Sequence, residues 1–119
     1  MWSMSKRGYL HFINDILKSS DKVLSLTQNT TFDEFIANWV AVDAVIRNLE
    51  IIGEAVKRLP AGIKQKYPAI EWKKIAGLRD ILIHEYFGIN YKILWDIVKN
   101  KIPELKAQIA KISEEIKSK

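Results

Sequence analysis

Gly77-Leu78-Arg79-Asp80-Ile81-Leu82-Ile83-His84-Glu85-Tyr86-Phe87 sets five polar side chains into an otherwise apolar run. Ile75, Leu78, Leu82 and Ile83 recur at helical spacing, so the segment reads as a helix from about Glu71 or Lys74 to Tyr86 with one face turned inward. His84 is one of only two histidines in the chain. Arginine holds phosphate with a rigid fork of donors, histidine moves protons near neutral pH, and tyrosine offers a hydroxyl. Together these three residue types suit phosphate-ester chemistry.

At about 100° per residue, Arg79 and Tyr86 fall on nearly the same helical line, and His84 lies roughly 140° from Arg79. Asp80 and His84 are four apart and share a face, where the carboxylate can orient the imidazole. The long Arg79 side chain can reach round to the same pocket. The same residues also suit a solvated face or a satisfied polar cluster, and spacing alone leaves both readings open.

Outward from this segment the chain reads as helices throughout. Tyr9, Phe12, Ile13, Ile16, Leu17, Val23 and Leu24 stripe a first helix from Ser5 to about Thr27, which Gln28-Asn29-Thr30 ends. Thr31 and Glu34 form a capping-box pattern that opens a long second helix from Phe32 to about Leu59. Its buried stripe runs from Phe35 through Trp39, Val42 and Leu49 to Val56, with Asn38 as the position for a kink. On its other side Asp43, Arg47, Glu50 and Glu54 are spaced for a ladder of ion pairs. The alternative is that Arg47 or Glu54 lines a cleft beside His84 or a dimer contact.

Gly53 costs about 1 kcal/mol in a helix interior, which a close approach of the motif helix would offset. Pro60-Ala61-Gly62 breaks the chain, and Trp72 anchors the connector that follows. Gly88 suits a left-handed helix end, Asn90 caps the next helix, and Pro103 opens the last. Trp2, Tyr91 and Trp95 suit base stacking, but aromatics at helical spacing are assigned to the core. The expected architecture is all-α, a single domain over residues 1–119.

Composition narrows the function classes. The chain has 119 residues, no cysteine and a net charge of +5. Disulfides and thiolate metal sites are therefore excluded, and attraction to nucleic acid is permitted without being required. The N-terminal segment is amphipathic, which points to no signal peptide and no membrane span, and to a cytoplasmic protein. No phosphate-binding glycine loop, nucleophile elbow or His/Cys metal spacing occurs in the sequence. His84 with Asp80 or Glu85 supplies too few ligands for a metal, and no cofactor is expected.

Arg79, His84 and Tyr86 match an R-x4-H-x-Y motif, and the chain resembles the HepT-like branch of the HEPN superfamily. The resemblance extends to Ala44-Val45-Ile46-Arg47-Asn48-Leu49-Glu50-Ile51-Ile52-Gly53-Glu54-Ala55, to Tyr67-Pro68 and Trp72, and to Ala76-Gly77-Leu78, nearly the whole chain. It implies an up-and-down HEPN-type bundle of four to five helices and a homodimer. It also implies a metal-independent endoribonuclease that is the toxin of a toxin–antitoxin module. The RNA 2′-hydroxyl would attack the adjacent phosphate, with His84 moving the proton and Arg79 stabilising developing charge. The implied partner is an MntA-like minimal nucleotidyltransferase that neutralises the toxin by transferring AMP to Tyr86. Many members carry asparagine after the motif arginine, where this chain has Asp80. The alternative is a non-catalytic regulatory or binding subunit of the nucleotidyltransferase.

Overall fold

The computed structural model describes residues 6–82 and 88–118, with the side chains of Lys6 and Arg7 excepted. His84 and Tyr86, together with Ile83, Glu85 and Phe87, lie outside the described residues.

Three long helices carry the domain: α1 (Lys6–Thr27), α3 (Trp39–Arg58) and α8 (Ile102–Lys117). Shorter ones lie between them: α2 (Phe32–Ala37), α4 (Ala61–Lys66), α5 (Trp72–Ala76), α6 (Leu78–Leu82) and α7 (Tyr91–Asp96). One π-helical stretch, Ile97–Lys101, joins α7 to α8. No strand pairs with another among the described residues, and the fold is all-α. α1 packs along both α3 and α8, and α3 in turn carries α5 and α6. The core between them is built from Ile13, Ile16 and Val23 of α1, Val45, Leu49, Ile52 and Val56 of α3, and Ile102, Leu105, Ile109 and Ile112 of α8.

Local chemistry explains the breaks. Asn29, at φ 56, takes the left-handed conformation that ends α1, one a short polar side chain tolerates. Thr31 then caps α2: its Oγ1 accepts from the Glu34 N–H, and the Glu34 carboxylate accepts from the Thr31 N–H. The two contacts hold the exposed Glu34 carboxyl below its usual range.

The long second helix expected from Phe32 to Leu59 is two helices. Asn38 leaves helical geometry at φ −102 and ψ 87 and caps α3 by accepting from the Ala41 N–H. Trp39, expected in the buried stripe, is 72% exposed: it opens α3 about 100° round the helix from the stripe's centre, whereas Phe35 before the break and Val42, Val45, Leu49 and Val56 after it are buried. Similarly, the helix expected from Glu71 to Tyr86 is divided at Gly77 into α5 and α6.

The remaining anchors match their sequence signals. The Trp72 indole N–H donates to the Lys64 and Tyr67 carbonyls, each at 3.0 Å, fastening α5 to the connector. Gly88 has φ 80, and Asn90 caps α7 by accepting from the Ile93 N–H. Pro103 sits in the first turn of α8, where its missing N–H costs nothing; the π-helical stretch just before it absorbs the bend, with the Ile102 N–H reaching Ile97 O. Trp95 is half-buried against Phe35, with Lys99 Nζ 4.7 Å above its ring. That placement makes it a packing residue, while Tyr91 is exposed.

Tyr67 donates its hydroxyl to Glu115 and so ties the connector to α8. The carboxylate acceptor, helped by partial burial, pushes the phenol from 10.0 up to about 12. Because the folded value lies above the unfolded one, this contribution to stability is complete below pH 10 and is lost as pH rises through about 12. Urea titrations of wild type and Tyr67→Phe at pH 8 to 12 are expected to differ most at pH 8 and to converge across that alkaline window.

Candidate functional site

One face of α3 carries Arg47, Glu50, Glu54, Lys57 and Arg58 at steps of three, four, three and one, so five charged residues line up along about three turns. Gly53 interrupts this row with no side chain, and there α5 comes closest. A Cβ at Gly53 would stand 3.3 Å from the Ile75 and Ala76 carbonyl oxygens. The expected close approach is therefore present, and it is made against the end of α5. Gly77 then turns the chain into α6, whose first turn presents Arg79 and Asp80.

These elements enclose a cleft of about 480 Å³ lined by Arg47, Glu50, Gly53, Glu54, Lys57 and Arg58 of α3 and by Arg79 and Asp80 of α6. The N-terminal half of α1 closes a further wall with His11, Phe12 and Asp15. Arg79, Asp80, Arg47 and Glu54, separated by up to 33 positions in the sequence, thus share one cavity. His84 and Tyr86 follow α6 in the chain and lie outside the described residues.

The charges of the cleft are partly paired. Arg79 Nε is 3.8 Å from Glu50 Oε2, a contact across elements, and the Arg79 side chain remains 68% exposed. Lys57 pairs with Glu54 at 3.6 Å, and His11 Nε2 with Asp15 Oδ2 at 3.5 Å. The expected ladder of Asp43, Arg47, Glu50 and Glu54 does not form among the described residues, because Glu50 turns to Arg79 and Glu54 to Lys57. All of these pairs are solvated, so each is worth at most about 1 kcal/mol and yields readily to an incoming anion. No ion pair to Arg47, Arg58 or Asp80 occurs among the described residues.

Among the described residues, four cationic side chains and four carboxylates line the cleft. Among the described residues, no three His, Cys, Asp or Glu side chains are grouped so that they could hold a metal ion. Sequence reasoning missed His11 and Asp15, since His11 stands 68 positions before Arg79. Their i, i+4 spacing was the available signal, but nothing in sequence tells which neighbour α1 faces. Arg58 was missed because it sits at the end of α3 beside Pro60, where it reads as a helix terminus.

A charged cleft between the longest helices of a small all-α domain, entered by an arginine that precedes a histidine and a tyrosine in sequence, defines the class. The chain belongs to the ribonuclease HepT-like family, whose model matches residues 16–112. That span includes every cleft residue of α3 and α6; His11 and Asp15 precede it. Among relatives, the chain is 46% identical over 116 residues to "Putative RNase MJ1216" of Methanocaldococcus jannaschii, covering 98% of this chain and 96% of that one. It is 49% identical over 113 residues to "Putative RNase MJ0127" of the same organism, covering 95% and 93%. "Probable ribonuclease HepT" of Thermococcus cleftensis is 39% identical over 107 residues, covering 90% and 97%. No solved structure matches the chain.

Proposed function

We propose that this protein is a metal-independent endoribonuclease, the toxin of a two-component toxin–antitoxin module. The observation that carries the reading is the arrangement of Arg79 at a solvated cleft, held among the described residues by the weak contact to Glu50 and followed within five residues by His84. Family membership and the ribonuclease names of the relatives support it. In the reaction, the 2′-oxygen of the strand attacks the adjacent phosphorus while His84 accepts its proton. The new P–O bond forms as the P–O5′ bond breaks, the leaving oxygen takes up a proton, and Arg79 stabilises the charge on the phosphoryl oxygens. The strand supplies its own nucleophile, so the protein needs only a proton carrier and a cation. Asp80, four residues before His84, orients the imidazole.

Control of the activity runs through Tyr86. A minimal nucleotidyltransferase partner of the MntA type transfers AMP from ATP: the phenol oxygen bonds to the α-phosphorus, the bond to the β-phosphate oxygen breaks, and pyrophosphate and a proton leave. The attached phosphate brings negative charge and bulk beside Arg79 and His84 and competes with RNA for the arginine. The active form is a homodimer in the cytoplasm. Trp39 and Val40, exposed side by side at the start of α3, give the domain apolar surface suited to association. No described helix is long and apolar enough to cross a membrane.

A second reading has one specific observation in its favour. Asp80 lines the cleft directly beside Arg79, with no ion-pair partner among the described residues, and a carboxylate there opposes a bound phosphate. A regulatory subunit that receives AMP without cutting RNA would tolerate it. End-group analysis of RNA after incubation with purified, AMP-free protein separates the two. New 5′-hydroxyl and 2′,3′-cyclic phosphate ends are expected, at unchanged yield in Tyr86→Phe; intact RNA together with partner-dependent labelling of Tyr86 would favour the regulatory subunit.

A further inference from the structure

The ribonuclease reading uses Arg79 and leaves two other arginines of the same cleft without a role. Arg47 and Arg58 both line it and are both exposed. Its other α3 cation, Lys57, is engaged by Glu54, and Arg79 by Glu50. Arg47 and Arg58 have no ion-pair partner among the described residues, which leaves their guanidinium forks open to a planar, doubly accepting anion such as phosphate.

Their spacing limits what that anion belongs to. Eleven positions along α3 place them roughly 20° apart around the helix and about 16 Å apart along it. Glu50, which holds Arg79, is displaced from Arg47 by about 4.5 Å along the axis and from Arg58 by about 12 Å. Arg79 therefore meets α3 between the two open arginines and nearer Arg47. One phosphate cannot serve both ends of such a row, and a mononucleotide cannot span it. A single strand of several nucleotides can, with its phosphates toward α3.

We propose that Arg47 and Arg58 hold phosphates of one RNA strand on either side of the linkage bound at Arg79. The strand then lies along α3 and extends beyond the cleaved linkage in both directions, further toward Arg58. This assignment rests on the ribonuclease reading and adds the substrate's course and minimum length to it. Of the carboxylates between the two arginines, Glu54 is engaged with Lys57.

The test uses the full-length, AMP-free protein and a fluorescent 12-nucleotide 2′-O-methyl strand, which lacks the attacking hydroxyl, beside a two-nucleotide version. Anisotropy is followed as NaCl is raised, and cleavage kinetics are measured on the corresponding 12-nucleotide RNA. Arg47→Gln and Arg58→Gln are each expected to weaken the long strand about tenfold. Each should also reduce the slope of log K against log salt by about 0.7. KM for cleavage should rise by a similar factor while kcat at saturation changes less than about threefold. The two-nucleotide probe, too short to reach from Arg79 to Arg58, should be insensitive to Arg58→Gln. Unchanged affinity and salt slope in both variants, with the wild type still cutting RNA, would overturn the inference and leave the ribonuclease reading standing. A wild type that neither binds the long strand nor cuts RNA would overturn both. A change of oligomeric mass in both variants, read by sedimentation, would assign the arginines to a contact between copies and overturn it as well.

Discussion

His84→Ala protein is expected to cut RNA at least about 10²-fold more slowly than wild type while retaining its helix content and denaturation midpoint. Two steps of the proposed reaction need a proton carrier: removal of the 2′-hydroxyl proton and protonation of the departing 5′-oxygen. Loss of a positioned imidazole typically costs between about 10² and 10⁴ in rate, because water replaces it only at low effective concentration. His11 is the informative control, since it is the other histidine of the chain and lines the cleft with Arg79. His11→Ala is expected to leave the rate within about threefold of wild type, as a solvated imidazole 3.5 Å from Asp15 would if it only borders the strand. Single-turnover cleavage of a labelled RNA reads both variants. A large loss in His11→Ala with none in His84→Ala would transfer the proton-carrying role to α1.

Gly53→Val is expected to destabilise the fold by about 2 kcal/mol and to depress RNA cleavage in the molecules that remain folded. Two terms oppose each other at this position. Glycine in a helix interior is intrinsically poor, so any side chain recovers a fraction of the roughly 1 kcal/mol that separates glycine from alanine. Against that stand the Ile75 and Ala76 carbonyl oxygens, 3.3 Å from where a Cβ would sit. Both are backbone atoms at the end of α5, which Trp72 fastens through two hydrogen bonds, so they cannot swing aside as a flexible side chain would. The branched valine has to displace α5, and with it the following turn and Arg79. Gly53→Ala, with one methyl, should lie between wild type and valine. Urea midpoints for the three proteins decide it. A valine variant as stable as wild type would mean that α5 moves away freely and that the close approach does not position Arg79.

The helices, and the placing of Arg79 and Asp80 together on one short segment, were legible because their signals are local. The capping box at Thr31, the cap at Asn90 and the glycine with positive φ at position 88 depend on side chains within three or four residues of one another. The apolar periodicity of α1, α3 and α8 gave the core for the same reason. Trp39 was misplaced because it stands at the first position of α3, about 100° round the helix from the centre of the stripe that Val42, Val45, Leu49, Ile52 and Val56 bury. The ion-pair ladder on α3 failed differently: spacing lists which charges can meet within a helix, and Glu50 found a better-placed arginine on α6. His11, Asp15 and Arg58 entered the cleft through the packing of α1 and the end of α3, and no local pattern encodes which element a solvated face will meet.

The most direct test of the central claim is cleavage of total cellular RNA and of tRNA in EDTA by protein shown by mass to lack AMP, beside Arg79→Ala and His84→Ala variants with unchanged denaturation midpoints. Cleavage that persists in the chelator and is lost in both variants is the predicted result, and it would establish a metal-independent ribonuclease that depends on these two residues. Intact RNA with the AMP-free wild type, or cleavage that persists in both variants, would contradict it.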